Sequence, residues 1–309
     1  MTSVRLLKEG LALVDSGPLH MTVQVSEKDT PLSDLAESGA LFALDILKGQ
    51  SDFLAVIKQE AMHLSASRFY PEVVNSMIRA SQAMNDPGLT PLAAVAGAAS
   101  DMVADYVARR GGTKIIVNNG GDIAIRLREG ETATVGLRLD STRPDYDYTA
   151  LIDRDCGVCT SGLRGRSFTL GVADGVTVMA DRAAIADAAA TFLGNKTTVD
   201  SPRVTRVPAE SLYHETDLMG VAVTHSVGAL SEKEISTALR AGRREAIRLL
   251  NKQYIMGAVI SVKGHMDTLG YFVQALRTVH PSVASIGRWD YLKAPYDCHS
   301  ESNSSASWT

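Results

Sequence analysis

Between Pro91 and Arg110 the chain places Ala93, Ala94, Ala96, Gly97, Ala98 and Ala99 in one run. Side chains this small cannot fill a conventional core, but they let another backbone approach closely. The run therefore predicts a helix packed tightly inside a layered fold. Asn85-Asp-Pro-Gly88 marks a turn, Thr90 an N-cap, and Pro91 the first helical position. Gly111-Gly112 supplies the stop.

Strand and helix signals alternate around this helix. Leu19 to Val25 reads as a strand and Leu41 to Leu47 as a helix. Lys114 to Val117 and Ile123 to Leu127 read as strands joined by a tight turn at Asn118, Asn119, Gly120, Gly121 and Asp122. Val176 to Met179 is a strand, Asp181 an N-cap, and Arg182 to Leu193 a helix closed by Gly194-Asn195. Met219 to Thr224 and Gly257 to Val262 read as further strands. Between them, Ser231 to Glu234 forms a capping box for a helix burying Ile235, Ala238, Leu239, Ala246, Leu249 and Leu250. The stretches Asp140 to Asp155, Gly157 to Gly162 and Arg164 to Arg166 read as loops. The expected class is α/β in a layered α+β arrangement, one domain with a mixed sheet packed with helices. That domain is expected over residues 1–285, with a C-terminal extension at 286–309 whose polar, Ser-rich end, 299–309, predicts disorder.

Composition narrows the partners. With 309 residues, a net charge of −4 and a pI near 6.0, the chain offers no general attraction to nucleic acid or to an anionic membrane. Charges break up the apolar positions of the first ten residues, so neither a signal peptide nor a membrane span is expected there. Cys156, Cys159 and Cys298 are too few for a disulfide framework. The expected location is the cytoplasm. The histidines form no pair at zinc-binding spacing, and P-loop, nucleophile-elbow and dinucleotide glycine motifs are absent.

Four segments carry the groups that chemistry would need. The turn Asn118, Asn119, Gly120, Gly121 presents backbone N–H groups with nothing to block a ligand, although a plain hairpin needs the same residues. Thr160, Ser161 and Gly162, with Arg164, Arg166 and Ser167, offer hydroxyls and guanidinium forks for a phosphate or carboxylate; the alternative is a solvated basic loop. Asp187 and Thr191 stand four apart on one helix face, a spacing that holds a hard cation such as Mg²⁺ with help from water or phosphate. A hydrogen bond from Asp187 to a neighbouring loop would explain the same residue. Cys156-Gly-Val-Cys159 has redox spacing without the structural context that spacing needs.

Taken in order, these segments resemble the ApbE-like superfamily, whose best-known members are flavin transferases that use FAD and Mg²⁺ to attach FMN to a protein threonine. The helix from Ala94 to Asp101 resembles the family helix with Lys-Gly and a later Asp. Asn119 to Asp122 resembles its Gly-Gly-Asp turn, and Ala186 to Thr191 its Ala-Asp-x-x-x-Thr metal helix. The likeness is closer to a branch with an Asn-Gly-Gly-Asp-Ile turn, here Asn119 to Ile123, a Cys-Thr-Ser segment, here Cys159 to Ser161, and Gly-x-Ser-x-x-x-Gly-x-Ala-Asp, here Gly165 to Asp174. A domain of that branch accompanies iron–sulfur modules in 6-hydroxynicotinate reductase.

Two departures bear on activity. The family lysine falls at Ala96, and Arg166 to Gly171 replaces the transferase His-Ile-Ile-Asp-Pro-x-Thr-Gly block. The resemblance to the reductase implies a cytoplasmic enzyme that reduces or hydrolyses a small anionic heteroaromatic compound in a catabolic pathway, with Asp122 and Asp174 moving protons. The alternatives are FMN transfer using FAD and Mg²⁺ on Asp187 and Thr191, or a non-catalytic ligand-binding subunit of a multicomponent reductase. A homodimer and an electron-transfer partner are the expected assemblies.

Overall fold

A computed structural model describes residues 2–138, 145–163, 165 and 167–279. The apolar runs found in the sequence become the central strands of one large sheet. In chain order these are β1 (Ser3–Lys8), β2 (Leu11–Ser16), β3 (Leu19–Glu27), β4 (Lys114–Asn119), β5 (Asp122–Leu127), β6 (Cys156–Ser161), β7 (Gly175–Ala180), β8 (Gly257–Val262) and β9 (His265–Gly270). They lie side by side in that order, and each described pairing is antiparallel. A short strand, Thr30–Pro31, pairs with β3 off this path.

The long connections carry the covering layers. Helices α1 (Ser33–Ser51), α2 (Glu72–Ala83) and α3 (Val95–Ala108) fall between β3 and β4, while α4 (Ala183–Lys196) and α5 (Glu232–Asn251) fall between β7 and β8. Period-two alternation sends Val117, Ala124, Cys159, Val176 and Val178 into the core beneath these helices. The other face buries Ile125, Cys156, Val158, Met179 and Val259 against a small sheet of Ala133–Leu137, Tyr148–Ile152 and Leu276–Thr278. All six residues of β7 and of β8 are buried, as expected for strands covered on both sides. No described helix is long and apolar enough to cross a membrane.

Several local expectations need correction. Cys156–Ser161 is a central strand, not a loop. Its small residues carry weak strand signals, and Gly157 is needed because a Cβ there would sit 2.3 Å from the Ala183 nitrogen. Tyr148–Ile152, within the expected Asp140 to Asp155 loop, is also a strand. The alanine-rich helix opens with a 3₁₀ turn, Pro91–Ala94, and Thr90 makes no capping bond. The Thr90 hydroxyl instead donates to Asp217 at 2.5 Å. Helix α4 starts at Ala183 without a capping bond from its flanking side chain, so Asp181 is not its cap. The strand expected at Met219 to Thr224 runs from Ala222 to Val227. The extension at 286–309 lies outside the described residues.

The capping box at the start of α5 forms as expected: Glu234 N–H donates to Ser231 Oγ, and Glu234 Oε2 accepts from Ser231 N–H at 2.7 Å. Hydrogen bonds from Ser201 and Ser231 pull the Glu234 carboxyl down to about 2. A carboxyl depressed in the folded state stabilises above its unfolded value of about 4.3 and loses that contribution as pH falls through its folded value. Glu234→Gln is therefore expected to lower the melting temperature at pH 7. The gap from the unaltered protein should close between about pH 4 and pH 2, as followed by circular dichroism.

Candidate functional site

The site forms where α3 crosses α4 over the ends of β4, β5 and β6. Gly97 makes the crossing possible: a Cβ there would lie 2.3 Å from the Ala183 carbonyl oxygen and 2.7 Å from Asp187 Cβ. At this separation the backbone N–H of Gly97, in the first turn of α3, donates to Asp187 Oδ2 at 2.8 Å. First-turn N–H groups have no partner inside their own helix, so an acidic side chain is favoured there. Asp187 is only 8 % exposed. Burial, and then the nearby Asp122 carboxylate, push its carboxyl well above the usual range, against the pull of the Gly97 and Ala96 N–H groups.

Asp122 arrives from the sheet. Asn119 pairs with Asp122 across a two-residue turn in which Gly120 and Gly121 have φ of 69° and 110°. Positive φ at both central positions is the I′ geometry that matches strand twist, which accounts for both glycines. The Asn118 amide oxygen accepts from Gly121 N–H at 2.8 Å and so braces the turn. Ser100 Oγ, on α3, donates to the Asp122 backbone oxygen at 2.8 Å. Alternation along β4 and β5 places Asn119 and Asp122 on the helix side and Asn118 on the other.

Strand β6 divides its residues in the same way. Cys159 lies under the helices and donates its thiol to the Ala183 carbonyl at 3.3 Å. Burial raises this thiol well above its usual range, with Asp122 and Asp187 adding to the effect. Cys156 lies in the opposite core, where burial pushes it up to about 12. The two cysteines thus face opposite sides of the sheet, which excludes a shared redox or metal site between them.

Ser161 lies 3.5 Å from Ser167, Oγ to Oγ, at the end of β6. Thr160 turns to the other face, where its hydroxyl meets Thr177 at 2.9 Å, away from Asp187. Gly162 sits against the Asp174 backbone, where a Cβ would be 2.6 Å from the carbonyl oxygen. The Asp174 carboxylate accepts the Lys263 backbone N–H. Thr191 lies one turn beyond Asp187 on α4 and is half-buried. Arg164 and Arg166 lie outside the described residues. The structure thus brings Asn119, Asp122, Ser161 and Asp187 to the helix side, with Thr191 one turn along.

Two residues complete the frame: Asp101, the acid that ends the Ala94 to Asp101 motif and was given no role, and Arg126, which motif reading passed over. Asp101, on α3, is fully buried; Oδ1 accepts from Arg126 Nη2 at 2.7 Å and Oδ2 from the Ala184 N–H at 2.9 Å. Arg126, 6 % exposed, also donates through Nε to Asp105 Oδ1 at 2.8 Å, and Arg182 Nη2 reaches Asp105 Oδ2 at 2.6 Å. Burial works to raise the Asp105 carboxyl, but Arg182 and Arg126 outweigh it and hold it below the usual range. The signal was present in the sequence: an arginine within the apolar strand Ile123 to Leu127, and acids four apart on one helix face.

Among the described residues no three His, Cys, Asp or Glu side chains cluster as a metal site, so Asp187, Asp122 and the Thr191 hydroxyl are the groups that would have to hold a divalent cation. The two charges acting most strongly on Asp187 are Asp122 and Asp101, both acidic, and its Oδ2 is already fixed by the helix N-terminus. A cavity of about 730 Å³ opens beside this frame, lined by Asp105, Arg182 and Ala184 together with Phe42, Arg79 and Arg109, and none of the residues expected from the sequence lines it.

The fold and the crossing of two small-residue helices define a protein of the ApbE-like class. Among solved structures, the ApbE protein of Thermotoga maritima shares the fold at a TM-score of 0.50 and 12% identity, covering 90% of this chain and 100% of that one. A family model described as AbpE bacteria matches residues 4–268. The UPF0280 protein of Methanopyrus kandleri is 38% identical over 186 residues, 58% of this chain and 73% of the relative. That of Methanosarcina acetivorans is 38% identical over 130 residues, 41% of this chain and 49% of the relative. The chain belongs to the AbpE bacteria family of the ApbE-like superfamily, in its UPF0280 branch. Membership overturns the expectation of heteroaromatic ring reduction or hydrolysis, because the family favours the flavin-transfer alternative.

Proposed function

We propose that this chain binds FAD with a divalent cation such as Mg²⁺ and transfers the FMN portion to a protein hydroxyl. The observation that carries this is Asp187. It is a buried carboxylate with one oxygen pinned by the Gly97 N–H at 2.8 Å, set beside a second acid, Asp122, and one turn before Thr191. Two acids held close together repel, which raises the pKa of Asp187, and a divalent cation held at Asp187 would relieve that repulsion and favour its charged form.

In the reaction, the acceptor hydroxyl oxygen forms a bond to the FMN phosphorus, the pyrophosphate P–O bond breaks, and AMP leaves with the bonding electrons. The cation's contribution is to neutralise pyrophosphate charge. Asp187 and Thr191 would hold the cation, and Asp122 would take the hydroxyl proton. At the turn, a Cβ on Gly121 would meet open space, which leaves an approach for the phosphates. Ala96 in place of the family lysine removes a cationic contact, so this chain depends more heavily on the cation.

Incubating the protein with FAD and Mg²⁺ is expected to release AMP, and chelation should stop it. Asp187→Asn keeps an oxygen to accept the Gly97 N–H but loses the charge. It should lower this activity by at least ~100-fold, the upper end of losses seen for residues that merely support metal ligands. An unaltered protein that neither binds FAD nor cleaves it sinks the proposal.

A further inference from the structure

Asp101 and Asp187 perform reciprocal roles. Asp187, on α4, takes the first-turn N–H of Gly97 on α3; Asp101, on α3, takes the first-turn N–H of Ala184 on α4. Each helix thus lends a carboxylate to the other's N-terminus, where unpaired donors and the helix dipole favour it. Neither helix start receives a capping bond from its own flanking residue. The register of the two helices is therefore set by these crossed contacts.

The second oxygen of Asp101 ties the helix pair to the sheet. Arg126 grips it at 2.7 Å, and Arg126 stands on β5, the strand that begins with Asp122. One strand carries Asp122 and Arg126, one helix carries Gly97 and Asp101, and one helix carries Ala184 and Asp187. Arg126, Asp101 and the Ala184 N–H thus form a rigid link that bridges the elements bearing Asp122 and Asp187.

We infer that Asp101, clamped by Arg126, is a positioning residue that fixes the spacing between Asp122 and Asp187 and so sets the affinity for a divalent cation. The inference rests on the transferase reading for the use of that cation, but its test reads binding directly. Asparagine at position 101 has one acceptor oxygen for two donors, the Arg126 guanidinium and the Ala184 N–H, so one contact must fail. Lysine at position 126 is a point charge that cannot serve Asp101 and Asp105 together.

Mn²⁺ binding, measured by the loss of the free-ion electron paramagnetic resonance signal with FAD present, is the test. It is run on folded protein well below each variant's melting temperature. Asp101→Asn should weaken Mn²⁺ by about 10–100-fold, as removal of a supporting contact does at metal sites. Arg126→Lys should weaken it in the same direction. Glu245→Gln, on α5 and bonded only to Arg244 and Arg248 among the described residues, touches neither helix N-terminus and should stay within about threefold. If Asp101→Asn does not fold, Arg126→Lys decides alone. Variants less stable than the unaltered protein but equal to it in Mn²⁺ affinity would overturn the inference and leave the transferase reading standing. Absence of Mn²⁺ binding by the unaltered protein would overturn both.

Discussion

A single methyl group added at Gly97 is expected to separate α3 from α4 and to remove most metal-dependent FAD cleavage. In an exposed helix, Gly→Ala stabilises by about 1 kcal/mol. Here the new Cβ would meet backbone, the Ala183 oxygen at 2.3 Å and its carbon at 2.6 Å, with Asp187 Cβ at 2.7 Å. Backbone cannot rotate aside as a side-chain tip can, and forced overpacking costs about 1–3 kcal/mol, occasionally more. The steric cost outweighs the propensity gain, so Gly97→Ala should melt several degrees lower. The larger effect falls on activity: moving Asp187 by about 1 Å costs on the order of 100-fold. Thermal unfolding and Mg²⁺-dependent AMP release check the two parts separately. A higher melting temperature with full activity would mean that the crossing relaxes freely, contrary to this account.

The second large effect is expected at Arg126. Among the described residues, Arg126→Met leaves Asp101 fully buried with the Ala184 N–H and the longer contact to Arg182, 3.4 Å from Nε to Oδ2, to offset its charge. Breaking a buried ion pair from one side typically costs about 3–5 kcal/mol, because the remaining charge stays out of water. Adding Asp101→Leu removes that charge as well, and the double variant should recover part of the loss. Recovery stays incomplete because the Ala184 N–H loses its acceptor, at about 1 kcal/mol. Urea unfolding of the single and double variants gives the comparison. A double variant no more stable than Arg126→Met would assign the cost to lost packing rather than to the stranded charge.

The elements with strong local signals were legible in the sequence. Ser231 and Glu234 announce α5 because a capping box is satisfied within four residues. Gly120 and Gly121 announce the β4–β5 hairpin because its turn requires positive φ. The small residues from Ala93 to Ala99 predict a close approach, and the structure supplies the partner, Ala183. Strand β6 was missed because Cys156-Gly-Val-Cys-Thr-Ser161 is strand-forming only when both faces are covered.

The site's chemical inventory is readable along the chain: a glycine turn ending in Asp122, and Asp187 with Thr191 on one helix face. Local spacing fixes these, since helix and strand periods decide which neighbours share a side. Tertiary structure alone decided what each group does. It sent Cys156 and Cys159 to opposite cores, turned Thr160 away from Asp187, and joined Asp101 to Arg126 across 25 positions of chain. A buried charge or an unpaired N–H is satisfied by whichever group packing brings near, and sequence distance does not encode that proximity.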